Sequence, residues 1–234
     1  MKQTMKQLMK YAAVMMLAVT LASCGGDDDN VSSNPTISMS FKGNSSSINV
    51  PEGRVMANAL QFTSGTIRLR QIQFQAETEA GDSIEVDLEQ IVDIDFATGT
   101  TTPDLSNLVF PVGIYTEIEV ELELQDEDNN PSVVIEGTFT DADDKAHPIR
   151  FEFNSGETFE VEKEGRIVFG EGANVLAEVT FDPGVWFAGV TTEELSMATK
   201  NNAGVIVISE TSNEEIFDIV ADGLDLATEI EIRL

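Results

Sequence analysis

Basic residues are scarce in this chain. Lysine and arginine number 13 against 42 aspartates and glutamates, a formal net charge of −29 at pH 7 over 234 residues. No basic cluster lies beyond Lys10. A nucleic-acid backbone is therefore an unfavourable partner, and an anionic lipid surface is repelled. Cysteine occurs once, at Cys24, and leaves no intrachain disulfide. Histidine also occurs once, at His147. One of each cannot supply the usual zinc sites. No Gly-x-Ser-x-Gly nucleophile elbow and no phosphate-cradling Gly-x-x-x-x-Gly-Lys-Ser/Thr loop is present. Tryptophan occurs once and tyrosine twice, so aromatic platforms for sugar stacking are few. Beyond Cys24 no apolar run is long enough to cross a bilayer as a helix.

What is present begins at the N-terminus. Lys2, Lys6 and Lys10 precede an apolar run over residues 11–21, which ends in Leu21-Ala22-Ser23-Cys24. A basic region, a short apolar run and small residues read as an export signal over residues 1–23. The small residues lead straight into the single cysteine. That order resembles a lipobox, in which the thiol takes a diacylglycerol and cleavage falls before Cys24. The acyl chains would then be the attachment to the membrane. Losing residues 1–23 removes three lysines and no acid, so the mature chain is more acidic still.

Gly25-Gly26-Asp27-Asp28-Asp29 follows the cysteine. A lipobox followed at once by acids resembles Bacteroidota-type surface-exposed lipoproteins. The resemblance implies that Asp27, Asp28 and Asp29 form an export signal to the outer leaflet. It also implies an outer-membrane protein facing outward. As residues alone, three aspartates equally well solvate a flexible tether over residues 24–35.

From Thr36 onward, short apolar runs alternate with turn residues at roughly 8–12-residue spacing, which predicts an antiparallel β-sandwich. Residues 66–76 are irregular. Ile67 and Leu69 share one face, whereas Ile72, Phe74 and Ala76 share the other. A strand has period two, so the flip near Arg70 means either a β-bulge or a strand buried on different faces in its two halves. Residues 117–124 alternate cleanly, with Glu117, Glu119, Glu121 and Glu123 against Ile118, Val120, Leu122 and Leu124. One aliphatic face and one carboxylate face are expected, with Arg68 and Arg70 as basic neighbours on another strand. Further short strands are expected at 84–88, 91–96, 132–140, 149–153, 158–161, 166–169 and 173–181. Glu164-Gly165 is read as a turn.

The pattern changes after residue 190. Thr191 with Glu194 and Ser212 with Glu215 have capping-box spacing. Ile216, Ile219, Val220 and Leu224 make one helical face, with Gly223 as its terminator. The expected division is a sandwich over residues 36–190 with a small α/β C-terminal extension, residues 191–234, packed on it.

Candidate chemistry is thin. Asp126-x-Asp128-x-Asn130 opens as an EF-hand loop does. Pro131 replaces the glycine of that motif, and Gly137 stands where its bidentate glutamate belongs. A weak calcium site and an ordinary acidic turn both remain open there. Trp186-Phe187 beside Pro183-Gly184 is either an exposed platform for a glycan or a plug in the core. His147 reads as a strand-edge residue in water. Carboxylates are too abundant for any two to mark a glycosidase pair.

Val112-Gly113-Ile114-Tyr115 before an alternating strand, Gly137-Thr138-Phe139, and Asp182-Pro183-x-x-Trp186-Phe187 form a further set. They resemble uncharacterised small all-β lipoprotein domains over residues 64–219, whose sheet ends in such a corner. That resemblance brings no activity with it. The expectation is a lipid-anchored, non-catalytic binding or structural module at the cell surface. Its partner would be a protein or a glycan, with no cofactor beyond weak calcium. A carbohydrate-binding accessory of a surface uptake system is the alternative, and a hydrolase comes third.

Overall fold

A computed structural model describes residues 36–48, 59–105, 108–109, 111–169, 174–225 and 228–233. The expected signal, Cys24, Asp27, Asp28, Asp29 and the tether fall outside them. Strands dominate the described residues and form two sheets. The smaller sheet contains β1 (Thr36–Gly43), β5 (Leu108–Val109), β10 (Asn174–Phe181) and β12 (Thr228–Arg233). Its order is β12-β10-β1-β5.

The larger sheet is built on β2 (Leu60–Thr78), which runs for 19 residues. One edge of β2 pairs with β3 (Ser83–Asp95), and β4 (Thr101–Thr102) follows outside it. The other edge is shared end to end. β7 (Val133–Thr140) takes its first half and β6 (Gly113–Leu124) its second. β8 (Ala146–Phe153) and β11 (Ile206–Ile208) continue outward from β7, and β9 (Thr158–Phe169) continues from β6. The sheet therefore forks.

The fork sits at the predicted phase flip. The register of β2 shifts between Leu69 and Gln71 on both edges. Arg70 falls in the gap of both registers, between Leu69 and Gln71. Ile67 and Leu69 before it, and Ile72 and Ala76 after it, are all buried. The irregularity thus lets two out-of-phase apolar sets enter one core, which an unbroken period of two forbids.

Pairing is antiparallel except for β1 with β10 and β8 with β11. The inner face of the larger sheet is covered in two ways. Beside the β6–β9 branch lies the smaller sheet, where Phe159 meets Phe181 with ring centroids 6.4 Å apart. Over the β7–β8 branch lie the helices α1 (Pro183–Trp186) and α3 (Glu214–Asp225). There Phe62 packs on Phe187 at 5.0 Å and Phe153 on Phe217 at 6.0 Å. Each such side chain contributes about 1.5–3 kcal/mol by burial. Both regions belong to one hydrophobic cluster. Residues after 190 supply β11 to the larger sheet and β12 to the smaller. No helix among the described residues is long and apolar enough to cross a membrane.

Several local expectations are corrected. Segments 84–88 and 91–96 are one strand, β3, and 158–161 and 166–169 are one strand, β9. Gly165 is not a turn between two strands. Its φ of 115° accommodates a register shift against β6 and lets β9 continue. The helix α2 (Thr192–Met197) carries the predicted capping box of Thr191 and Glu194. The second box is not formed at Ser212, because α3 begins only at Glu214. Asn213 precedes it with φ 54°, and its side-chain amide donates to the Thr199 and Val207 carbonyls at 3.0 and 2.6 Å. Gly223 does not end α3 but lies inside it. A Cβ there would sit 2.4 Å from the Trp186 carbonyl oxygen, so glycine is what lets α3 close on α1.

Candidate functional site

Alternation sends one side of each strand inward and the other out. Beyond Arg70, the outward face of the larger sheet runs across β3, β2, β6 and β9. The registers align its residues in rows. One row is Asp87, Gln73, Glu121 and Glu160. The next is Glu85, Gln75, Glu119 and Glu162, and a third is Ser83, Glu77, Glu117 and Glu164. Carboxylate thus faces carboxylate in three successive rows of β6 and β9. Like charges directly opposite each other destabilise a sheet by roughly 0.2–1 kcal/mol a pair.

The crowding has a focus. Carboxylate oxygens from Glu119, Glu121 and Glu160 lie within 4.8 Å of one another. Burial, then the hydrogen bond and charge of Glu160, then the charge of Glu121 push the Glu119 carboxyl up to about 7. Glu162 is also held above its ordinary value, chiefly by the charge of Glu117. Three carboxylates this close cannot all stay ionised without a counter-charge, and a proton or a cation supplies it. The glutamines of β2 separate the two acidic flanks, and Gln73 Nε2 donates to Glu85 Oε1 at 2.8 Å.

The expected basic neighbours divide at the bulge. Arg70 pairs with Glu123, at the end of the face, and with Glu127 at 3.4 Å. Arg68 lies on the other side and pairs instead with Asp93, at 2.7 and 3.3 Å.

The other candidate residues are placed as follows. Asp128 Oδ1 accepts from the Asn130 backbone N–H at 2.7 Å. Asp126 lies against Gly156, where a Cβ would come within 2.6 Å of its Oδ2. Trp186 and Phe187 are not a glycan platform, being 1% and 0% exposed. Asp182 caps α1 by accepting from the Gly184 N–H at 2.8 Å, which turns both rings under the sheet against Phe151.

His147 is not in water either, at 8% exposed. Lys200 Nζ lies 2.9 Å from its Nδ1, and Asp141 Oδ2 lies 2.6 Å from its Nε2. An ammonium only donates, so Nδ1 accepts and Nε2 carries the hydrogen. That hydrogen bond, followed by the Lys145 backbone N–H, holds Asp141 below the usual carboxylate range. The trio ties the turn between β7 and β8 to the segment after α2. It is a structural clasp with both ring nitrogens used.

Glu160, Glu162 and Glu164 were not foreseen. They alternate as plainly as the glutamates of β6, but the signal is lost when the strand is ended early at Val161.

The fold is a mainly β sandwich with a carboxylate-lined outer face. No family model matches the chain, and no curated protein matches it. Among solved structures, MbnP from Methylosinus trichosporium is similar over 65% of this chain and 76% of that one, at 11% identity and a TM-score of 0.33. A likeness that faint carries no argument about function.

Proposed function

We propose that this chain is an acyl-anchored lipoprotein of the outer membrane, displayed at the cell surface. Its sandwich is a non-catalytic module that binds divalent cations on the carboxylate face. The observation that carries the binding reading is the register of β6 on β9, which gathers Glu119, Glu121 and Glu160 at an electrostatic cost. Departures from local stability rules concentrate at functional sites. Calcium suits the donor set, because it takes several oxygen ligands and tolerates irregular geometry. The anchor and the display signal rest on Cys24 and on Asp27, Asp28 and Asp29.

The test is calorimetric titration with calcium, paired with thermal melts. A cation that binds only the native state adds RT ln(1 + [L]/Kd). About 5 mM calcium at a Kd of about 1 mM therefore adds about 1 kcal/mol, or a melting-point rise of about 2–4 °C. Sodium at matched ionic strength controls for screening. Glu119→Gln/Glu160→Gln should abolish the calcium-specific part, whereas Asp126→Asn/Asp128→Asn should keep it. The reverse result would move the site to the turn. If sodium reproduces the whole shift, the face is only solvated and the cation reading fails.

The anchor has its own test. Cys24→Ala should leave an unprocessed precursor without lipid label, and normal maturation would reject the lipobox. Replacing Asp27, Asp28 and Asp29 by alanine should change the protein from protease-accessible to protected on whole cells. Unchanged accessibility would leave those aspartates as tether.

A further inference from the structure

Across the bulge from the carboxylates, the same outward face dips into a groove of about 830 Å³. β2 and β3 contribute Thr66, Arg68 and Asp93 to its lining. The turn after β3 contributes Thr98 and Thr100, and the turn before β7 contributes Asn130. The volume is that of a small-molecule site, and the lining sets hydroxyls, an amide and a paired charge beside the apolar Pro131 and Val134. We infer that this groove is a second binding site, for a neutral carbohydrate. The inference does not rest on cation binding by the carboxylate face.

The chemistry of the lining selects the ligand. Arg68 spends Nε and Nη2 on Asp93, at 2.7 and 3.3 Å. A guanidinium has further N–H donors, and each Asp93 oxygen keeps a free lone pair. One side-chain pair therefore offers donors and acceptors side by side, the complement of adjacent hydroxyls on a sugar. The Thr66 and Thr102 hydroxyls add groups that both donate and accept. An anion would meet Asp93 and Asp95 in the groove, and the charge of Asp128 also bears on Arg68. A bare cation finds a stronger field among the unpaired carboxylates beyond Arg70. A neutral polyol uses both kinds of group and pays for neither charge.

The groove is also built before any ligand arrives. Asp95 Oδ1 accepts from the Thr98 backbone N–H and from its hydroxyl, each at 2.8 Å. Its own backbone N–H donates to the Thr100 carbonyl at 2.9 Å. Gly99, at φ 71°, lies so close to β1 that a Cβ would fall 1.7 Å from the Phe41 carbonyl oxygen. On the opposite side, Ser132 Oγ donates to the Phe153 or Ser155 carbonyl, at 3.1 and 3.2 Å. Polar groups fixed in this way lose little freedom on binding. Among the described residues no aromatic ring lines the groove, so the affinity should be in the millimolar range.

The experiment screens the soluble chain, residues 25–234 without the acyl chains, against neutral glycans in EDTA. Maltohexaose, xylohexaose, mannohexaose and cellohexaose serve as probes, each followed by protein-observed NMR titration. At least one should shift amides of β2, β3 and the turn after β3. Arg68→Met should weaken that binding at least tenfold. Thr66→Val, which keeps the branched shape a strand prefers, should weaken it several-fold without changing the melting point. Glu119→Gln/Glu160→Gln should leave it unchanged. Shifts confined to other surfaces would overturn the inference. So would full binding by both groove variants, tighter binding of a sulfated or uronic-acid hexasaccharide, or no binding of any probe up to about 10 mM.

Discussion

The two halves of the outward face of β2 share one strand, yet they handle charge in opposite ways. On the β7–β8 side, Arg68 sits on Asp93, and Arg150 sits on both Glu136 and Glu152. On the β6–β9 side, carboxylates face carboxylates, and the glutamines of β2 hold a third acidic strand apart from them. Arg70 stands on the boundary, paired with Glu123. Alternation decides which way a side chain points. Register decides what it meets there. Removing a charge should therefore cost stability in one half and add it in the other.

The largest effect comes from crossing between faces within one strand. Val120 is 1% exposed and its neighbour Glu121 points outward. Val120→Asp buries an unpaired charge and should cost about 3–5 kcal/mol in urea unfolding. Glu121→Lys should be neutral or stabilising, because it meets Glu160. Comparable losses from the two would mean that the register is wrong.

Charge removal in the two halves comes next. Arg68→Ala should lower stability by about 1 kcal/mol or less, since both members of its pair are partly exposed. Glu160→Gln should raise it by up to about 1 kcal/mol by relieving a like-charge contact. Denaturant midpoints read both, and equal signs would break the contrast between the halves.

A smaller effect lies in the pH profile. Glu119 holds its proton to about pH 7 in the folded chain, against an ordinary value of 4.5. Between those values the folded state binds more protons than the unfolded state. Its contribution is complete below the unfolded value and is lost as pH rises to about 7. The lowered Asp95, Asp128 and Asp141 act the other way, and their stabilisation is lost as pH falls below the ordinary 3.8. The chain should thus be more stable near about pH 5 than near about pH 7.5, and Glu119→Gln should flatten that slope. A wild-type profile already flat over this window would show that Glu119 is not crowded.

The smallest effect tests the glutamine spine. Gln73→Lys would place a cation between Glu85 on β3 and Glu121 on β6, where the amide now donates to Glu85 alone. It should add roughly 0.2–0.5 kcal/mol and weaken calcium binding. Unchanged calcium affinity would separate the spine from the cation site.

Much of this was legible before any fold was known. The two faces of β6, the irregularity at Arg70 and the cap of α2 all follow from patterns a few residues long. His147 and Gly223 were misjudged, and Trp186 was left open between platform and plug, for one common reason. Each is defined by a partner far away in sequence: Phe151 for Trp186, Lys200 for His147, and the backbone of Trp186 for Gly223. A short polar context around a residue says nothing about what folds over it. The groove at Arg68 was invisible for the same reason, since its lining comes from segments around residues 66, 93, 100 and 130.

By itself the sequence determined the acidity, the mainly β class, the inward and outward sides of the best strands, and the lone cysteine behind its apolar run. These are local or compositional properties, set by residue type and by a period of two. Only the tertiary structure decided that the glutamates of β6 and β9 lie in register, that the sheet forks at Arg70, and that Arg68 falls on the far side of the fork from the carboxylates. Those outcomes depend on how strands tens of residues apart align, and that alignment is chosen by the burial of one shared core. Each polar side chain meets the neighbour that the packing of its apolar neighbours dictates.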